Sequence, residues 1–295
     1  MNNFKTNEIQ LIVYTDLDGT LLNHQDYSFA PAIPALSLLS QINAPVIPVT
    51  SKTLVEAQSL ANSIGLHHPI IVENGSLLAF PEKYFKKQSD FSHAGKYWCK
   101  QVSADYKTII ETIHKLREQF NYDFQGFADM SVDEVMQHTG LNTSEAENAK
   151  QRAGTEPILW LDSPEKRLTF TKQLKEYNLT LTRGGRFWHV MGNASKGKAI
   201  EMLNALYRKN EFIVQETIGL GDSPNDISML RVVDVPVIVQ SHDGSYMNIE
   251  NSNEYARTEP PGPDGWNRFI THYLEENNLI VNESKILKTR SMRNG

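Results

Sequence analysis

Two carboxylates stand one residue apart in Asp16-Leu-Asp-Gly-Thr20, directly after the short apolar, β-rich run of residues 11–15. A strand that ends there would hold Asp16 and Asp18 at the carboxyl edge of a sheet, where open α/β folds bind ligands. Such a pair has three common uses. A calcium loop of EF-hand type wants glycine sixth and glutamate twelfth, whereas here the glycine comes fourth and the twelfth residue is Tyr27. A solvated Asp-x-Asp-Gly turn is the plain alternative. The third use is a nucleophile beside its acid/base partner around Mg²⁺, one carboxylate attacking phosphorus and the other protonating the leaving oxygen.

Phosphoryl transfer also needs cations and hydrogen-bond donors around the equatorial oxygens, and other segments offer them. Thr50 follows the run 45–49 with a hydroxyl, and the backbone N–H groups after it, from Ser51 onward, can donate. Lys196 opens a helix candidate, which combines a point charge with a helix N-terminus. Gly221-Asp-Ser-Pro-Asn-Asp226 follows another apolar run and carries hard oxygen ligands that suit Mg²⁺. A rival motif, Gly192-Asn-Ala-Ser-Lys-Gly-Lys-Ala199, nearly spells a phosphate-binding loop, but Ala199 stands where that loop needs a metal-binding hydroxyl. Cys99 has no arginine within the next seven residues, which excludes a cysteine phosphatase, and nine histidines without metal spacing argue against zinc.

The elements that must position these groups read as an alternation. Runs at 11–15, 45–49 and 69–72 predict strands, and residues 34–42 and 54–64 predict helices, the second stopped by Gly65. Glu73-Asn-Gly75 predicts a turn into a returning strand at 76–80. The pattern from 84 to 191 is patchier. It contains helix candidates at 106–120 and from the Ser163 cap with Pro164 to 177, and a hairpin whose strands 179–183 and 186–191 flank Gly184-Gly185. Alternation then resumes with a helix at 195–207, a strand at 217–220, a helix after the loop 221–226 and a strand at 235–239. We expect an α/β protein: a doubly wound, Rossmann-like parallel sheet from residues 1–83 and 192–276, interrupted by an α+β cap at 84–191 and followed by a polar tail at 277–295.

Composition narrows the partners. The 295 residues carry 29 Lys+Arg against 35 Asp+Glu, a net charge of -6, so no broad surface for nucleic acid is expected. No run reaches the ~18–20 apolar residues of a membrane span, and residues 1–10 lack the apolar core of a signal peptide. A single cysteine fits a reducing compartment, the cytoplasm, and nothing points to an obligate protein partner.

With four motifs in order, Asp16-Leu-Asp-Gly-Thr-Leu21, Thr50, Lys196 and Gly221-Asp-Ser-Pro-Asn-Asp226, the sequence resembles the haloacid dehalogenase superfamily of aspartate-based phosphatases. The resemblance implies that Asp16 is the nucleophile and Asp18 the general acid, later the base. It also implies that Asp16, the Asp18 carbonyl and Asp222 hold Mg²⁺ with Asn225 and Asp226 in support, and that Thr50, Ser51 and Lys196 hold phosphate. Within the superfamily the chain is most similar to mannosyl-3-phosphoglycerate phosphatases, through Val46-Ile-Pro-Val-Thr-Ser-Lys-Thr53, Glu73-Asn-Gly75, Arg183-Gly-Gly-Arg-Phe-Trp-His189 and Gly262-Pro-Asp-Gly-Trp266. That implies a small phosphorylated glycosyl glycerate as substrate, 2-O-mannosyl-3-phosphoglycerate, hydrolysed to mannosylglycerate and phosphate. A broader sugar-phosphate phosphatase, a phosphomutase and a non-catalytic ligand-binding relative are the alternatives. In the cap, Arg183 and Arg186 flank the hairpin turn and could converge on a carboxylate with His189 as a further donor, or could form a solvated basic tip. Arg152, Glu156, Trp160 and Trp266 rank below them as substrate contacts.

Overall fold

The computed structural model describes residues 7–86, 90–184, 187–251 and 253–280. Ile12–Thr15 is the strand around which the core is built. Its side chains point alternately to two faces, and both are buried: Leu11 and Val13 pack into one apolar cluster, Ile12 and Tyr14 into another. A strand buried on both faces belongs inside a parallel sheet. It pairs in parallel with Thr217–Gly221 on one side and Val46–Pro48 on the other, and the sheet continues through Val235–Ile238 to Ala256–Arg257. Helices Ile33–Gln41, Leu54–Ile64 and Gly262–Glu276 cover the first face, and Lys196–Lys209 covers the second. The expected doubly wound core is present.

Local chemistry sets the boundaries of these helices. Thr53 and Glu56 form a reciprocal capping box at the start of Leu54–Ile64, and Gly65, at φ 81°, stops it. Ser195 caps Lys196–Lys209 by accepting from the Lys198 N–H.

Beyond Val46–Pro48 a parallel bridge, Val49 to Ile71, leads to a second sheet of antiparallel strands ordered Ile70–Val72, Leu77–Pro81, Tyr97–Gln101 and Ser92–Ala94. Residues 92–101 therefore hydrogen-bond onto the core side, through Tyr97–Gln101 against Leu77–Pro81. Residue 84, the expected start of the cap, is not where the pairing changes. We place the division near residues 102–105, after which the chain joins a separate antiparallel sheet ordered Leu179–Arg183, Trp188–Gly192, Thr155–Trp160 and Phe124–Gly126. Helices Tyr106–Phe120 and Pro164–Glu176 cover one face of that sheet with Ile109, Ile113, Phe170 and Leu174. Trp160 belongs to this packing, stacked on Phe124 at 5.9 Å.

Two short helices, Val132–Thr139 and Thr143–Ala149, fill the cap between its sheet and the core, each opened by a capping box, Ser131 with Glu134 and Asn142 with Glu145. The Gly184 N–H donates to the Phe187 carbonyl at 3.0 Å across the expected hairpin, whose Gly185 and Arg186 lie outside the described residues. Of the expected tail, Leu279 and Ile280 pack against the core, and 281–295 lie outside the described residues. Among the described residues no helix is long and apolar enough to cross a membrane.

Candidate active site

Asp16 is the first residue past strand Ile12–Thr15, and Asp222 the first past Thr217–Gly221; because the strands are parallel neighbours, both carboxylates arrive at the same sheet edge. The Asp16 N–H donates to the Leu220 carbonyl at 2.9 Å, which fixes the loop. Gly19 sits at φ 82°, and a Cβ there would lie 2.8 Å from Asp222 Oδ2, so only glycine lets the two loops close on each other. Thr20 donates its hydroxyl to Asp222 Oδ1 at 3.0 Å.

Lys196 is buried in the centre. Its Nζ donates to Asp16 Oδ1 at 2.5 Å and to Asp226 Oδ1 at 2.5 Å. The other Asp226 oxygen, Oδ2, accepts from the N–H groups of Asp222 and Ser223 at 3.1 and 3.0 Å. Asp226 is thereby satisfied by a lysine and its own loop. One oxygen each of Asp16 and Asp222 has no protein donor among the described residues, and the carboxylates of Asp16, Asp222 and Asp226 bring oxygens within 4.8 Å of one another. Burial pushes Asp16 well above the usual carboxylate range; Lys196 opposes this, and Asp226, Asp222 and Asp18 reinforce it. Burial and Asp226 push Asp222 up to about 7. This concentration of hard, mutually repelling oxygens fits a divalent cation, whose own charge would reverse both shifts.

The Glu73–Gly75 turn braces the site from below. It follows Ile70–Val72 with three successive positive φ angles, 50°, 56° and 91°. The Glu73 and Asn74 N–H groups donate to the carbonyls of Lys52 and Thr50 at 3.0 and 2.9 Å, which holds the loop after Val46–Pro48. Asn225 donates from Nδ2 to Asn74 Oδ1 at 2.9 Å. At Gly75 a Cβ would lie 2.2 Å from the Ser195 carbonyl, so glycine admits the start of the Lys196 helix. The Glu73 side chain, fully buried, reaches into the cap segment. Its Oε1 accepts from the Ala153 N–H at 2.7 Å, and its Oε2 accepts from the N–H groups of Gly154 and Thr155 at 3.0 and 2.8 Å and from the Thr155 hydroxyl at 2.9 Å. The sequence marks this turn only as a common motif; the structure makes it the clasp between core and cap.

A cleft of about 340 Å³ opens above the aspartates, and its walls include Ser51, Lys52, Arg152, Phe127, Phe187 and His189. Ser51 lines it, and the preceding Thr50 is fully buried, its hydroxyl accepting from the Lys52 N–H at 3.1 Å. Asp18 faces Lys52, whose Nζ is 3.0 Å from Asp18 Oδ1 and 5.0 Å from the centre of the Tyr27 ring. Burial pulls the Lys52 ammonium down, but Asp18 and Glu56 outweigh it and leave it above its ordinary value. His189 projects from the cap sheet beside Pro157, its cross-strand partner, and burial together with Arg152 and Lys196 pushes it down to about 3, so the ring is neutral.

The structure thus brings together Asp16, Asp18, Thr50, Ser51, Lys196, Asp222, Asn225, Asp226 and His189. Arg183 is not among them: it is exposed, with its guanidinium 5.0 Å from the Trp188 ring on the outer part of the hairpin. Arg186 lies outside the described residues. Trp266 is buried beneath the site and donates its indole N–H to the Thr15 hydroxyl at 3.1 Å, so it braces the strand carrying Asp16 and does not touch the cleft. Glu156 faces Tyr106 inside the cap, accepting its hydroxyl at 2.7 Å and the Ala128 N–H at 2.7 Å. Lys52 is the cleft residue that motif reading quotes without assigning a role.

A parallel sheet with paired aspartates at one edge and a cap inserted over them is the arrangement of the haloacid dehalogenase-like hydrolases. The model of that family matches residues 13–249, and the chain belongs to it. Its similarity to individual proteins is closer still. It is 37% identical over 90% of its length to a glucosyl-3-phosphoglycerate/mannosyl-3-phosphoglycerate phosphatase of Persephonella marina, covering 98% of that protein. It is 36% identical over 91% of its length to the protein of that name from Methanococcoides burtonii, covering 99% of it. Among solved structures, a superfamily phosphatase from Bacteroides thetaiotaomicron superposes with a TM-score of 0.63 at 15% identity over 92% of this chain and 98% of that one, which supports the fold.

Proposed function

We propose that the protein is a cytoplasmic Mg²⁺-dependent phosphomonoesterase that hydrolyses 2-O-mannosyl-3-phosphoglycerate, or its glucosyl counterpart, to the glycosylglycerate and phosphate. The observation that carries the reading is Asp16 held at a sheet edge by buried Lys196, with Asp18 two residues on and a cap closing over both. The names of the two relatives, 37% and 36% identical over the aligned residues, support the choice of leaving group.

In this mechanism Asp16 attacks phosphorus, and the bond from phosphorus to the glycerate oxygen breaks as Asp18 delivers a proton to that oxygen. Asp18 then takes a proton from water, which attacks the aspartyl-phosphate and releases inorganic phosphate and the Asp16 carboxylate. Lys196, the Thr50 hydroxyl and the N–H groups after it hold the phosphoryl oxygens. Asp16, the Asp18 carbonyl and Asp222 would hold Mg²⁺, which supplies charge neutralisation to the phosphoryl group, while Asn225 and Asp226 fix the loop that presents Asp222. The neutral imidazole of His189 offers a hydrogen bond to the glycosyl portion, and the cap excludes water.

The test is release of phosphate from a panel of glycosyl phosphoglycerates and hexose phosphates, with and without Mg²⁺. The reading expects kcat/KM for a glycosyl phosphoglycerate at least tenfold above any hexose phosphate. Comparable values would make the enzyme a general sugar-phosphate phosphatase, and isomer formation without net phosphate release would make it a mutase.

A further inference from the structure

The cleft is lined by two basic side chains, Lys52 and Arg152, among the carboxylates of Asp16, Asp18, Glu56 and Asp222. In the proposed mechanism Lys196 serves the phosphoryl group, which leaves these two cations without a role. Lys52 follows Ser51 in the chain. Arg152 comes from the cap, and its Nη2 donates to the Ser51 carbonyl at 3.0 Å and to the Thr155 hydroxyl at 2.5 Å, while Nε donates to the Thr155 carbonyl at 3.3 Å. Its side chain is only 4% exposed, and Nε lies 3.6 Å from buried Glu73. The remaining nitrogen, Nη1, has no hydrogen-bond partner among the described residues. A nearly buried guanidinium with a free donor on the wall of a cleft is an anion site held ready.

We propose that Lys52 and Arg152 together form the subsite for a second anionic group on the substrate, a carboxylate such as that of the glycerate unit. The two cations come from different domains, so the pair exists only while the cap is docked, and Glu73 keeps it so by binding the three N–H groups that follow Arg152. The carboxylate takes Nη1 of Arg152 and one donor of the Lys52 ammonium, whose present neighbours are Asp18, Glu56 and the Tyr27 ring. This places carboxylate recognition at the base of the cap rather than at Arg183, which lies outside the cleft. A substrate carrying both phosphate and carboxylate would use both cations, whereas the phosphate of a neutral sugar would not.

The proposal rests on the phosphatase reading above but not on its particular substrate. The experiment measures kcat/KM for two matched pairs, a glycosyl-3-phosphoglycerate against the corresponding glycosyl glycerol phosphate, and 3-phosphoglycerate against glycerol 3-phosphate, in wild type, Arg152→Ala and Lys52→Ala. The ratio within a pair is taken on one preparation, so any unfolded fraction cancels. The wild type should favour the carboxylate member at least tenfold, and each variant should lower that ratio at least tenfold. A wild-type ratio near one on both pairs, or a ratio within twofold of wild type in either variant, overturns the subsite. Wild-type preference appearing only in the unglycosylated pair would instead refute the glycosyl substrate and leave the subsite supported.

Discussion

Replacing Glu73 by glutamine tests how the cap is held. In the native structure Glu73 Oε2 takes three donors and Oε1 takes one, with Arg152 beside them. Glutamine is almost isosteric, and its amide oxygen suits the three-donor side. Its NH₂ group must then face the Ala153 N–H, donor against donor. Three charge-assisted hydrogen bonds become neutral, at about 1 kcal/mol each, and one bond is lost with its buried donors unpaired, at about 1–3 kcal/mol. The sum is on the order of 4–6 kcal/mol, a large share of the ~5–15 kcal/mol that holds a typical protein folded. Thermal unfolding followed by circular dichroism should show a fall in Tm on the order of 5–15 °C. Amide exchange should show loss of protection at Ala153, Gly154 and Thr155. A change below about 1 kcal/mol with those three amides still protected would refute the clasp.

Other consequences are as direct. Lys196→Met should lower kcat at least ~10²-fold, the usual scale for losing one charged donor to a transition state; it should also destabilise the fold by about 3–5 kcal/mol, because Asp226 Oδ1 is left buried without its partner. Full activity in that variant would contradict the phosphate-binding role. Glu156 gives a pH signature distinct from catalysis: burial pushes its carboxyl up to about 7 from an ordinary 4.5, against the hydrogen bonds from Ala128 and Tyr106 that favour its charged form. Between these values the folded state binds more protons than the unfolded one, so stability falls as pH rises from about 4.5 to about 7, by about 3 kcal/mol in all. Urea titrations of Glu156→Gln at pH 5 and pH 8 should lack that loss, and parallel pH profiles for variant and wild type would exclude it.

The catalytic edge was legible because short β-rich runs end directly at Asp16, Thr50 and Asp222, and because the Ser195 cap announces the helix that begins with Lys196. The cap was less so. Its helices Val132–Thr139 and Thr143–Ala149 are short and polar, yet the spacings Ser131 to Glu134 and Asn142 to Glu145 are capping boxes that could have revealed them. The strands within 92–101 return to the core through pairing with 77–81, a choice of partner that strand propensity does not encode. Arg152 shows the same limit at the site. Its contact with the Ser51 carbonyl spans 101 positions in the chain, and no local pattern connects them, whereas Arg183 and Arg186 stand out simply by flanking a glycine turn. A place beside a turn does not tell which way an arginine points: Arg183 is exposed, with its guanidinium 5.0 Å from the centre of the Trp188 ring.

The central claim is that Asp16 carries the phosphoryl group. The direct measurement is to acid-quench the enzyme during turnover of its phosphate ester with Mg²⁺, reduce with borohydride, and map the peptides by mass spectrometry. An aspartyl-phosphate is reduced to homoserine where a free carboxylate is not, so homoserine should appear at position 16, and only in samples quenched with substrate present. Reduction at another carboxylate, or none at position 16 while phosphate is being released, would contradict the account.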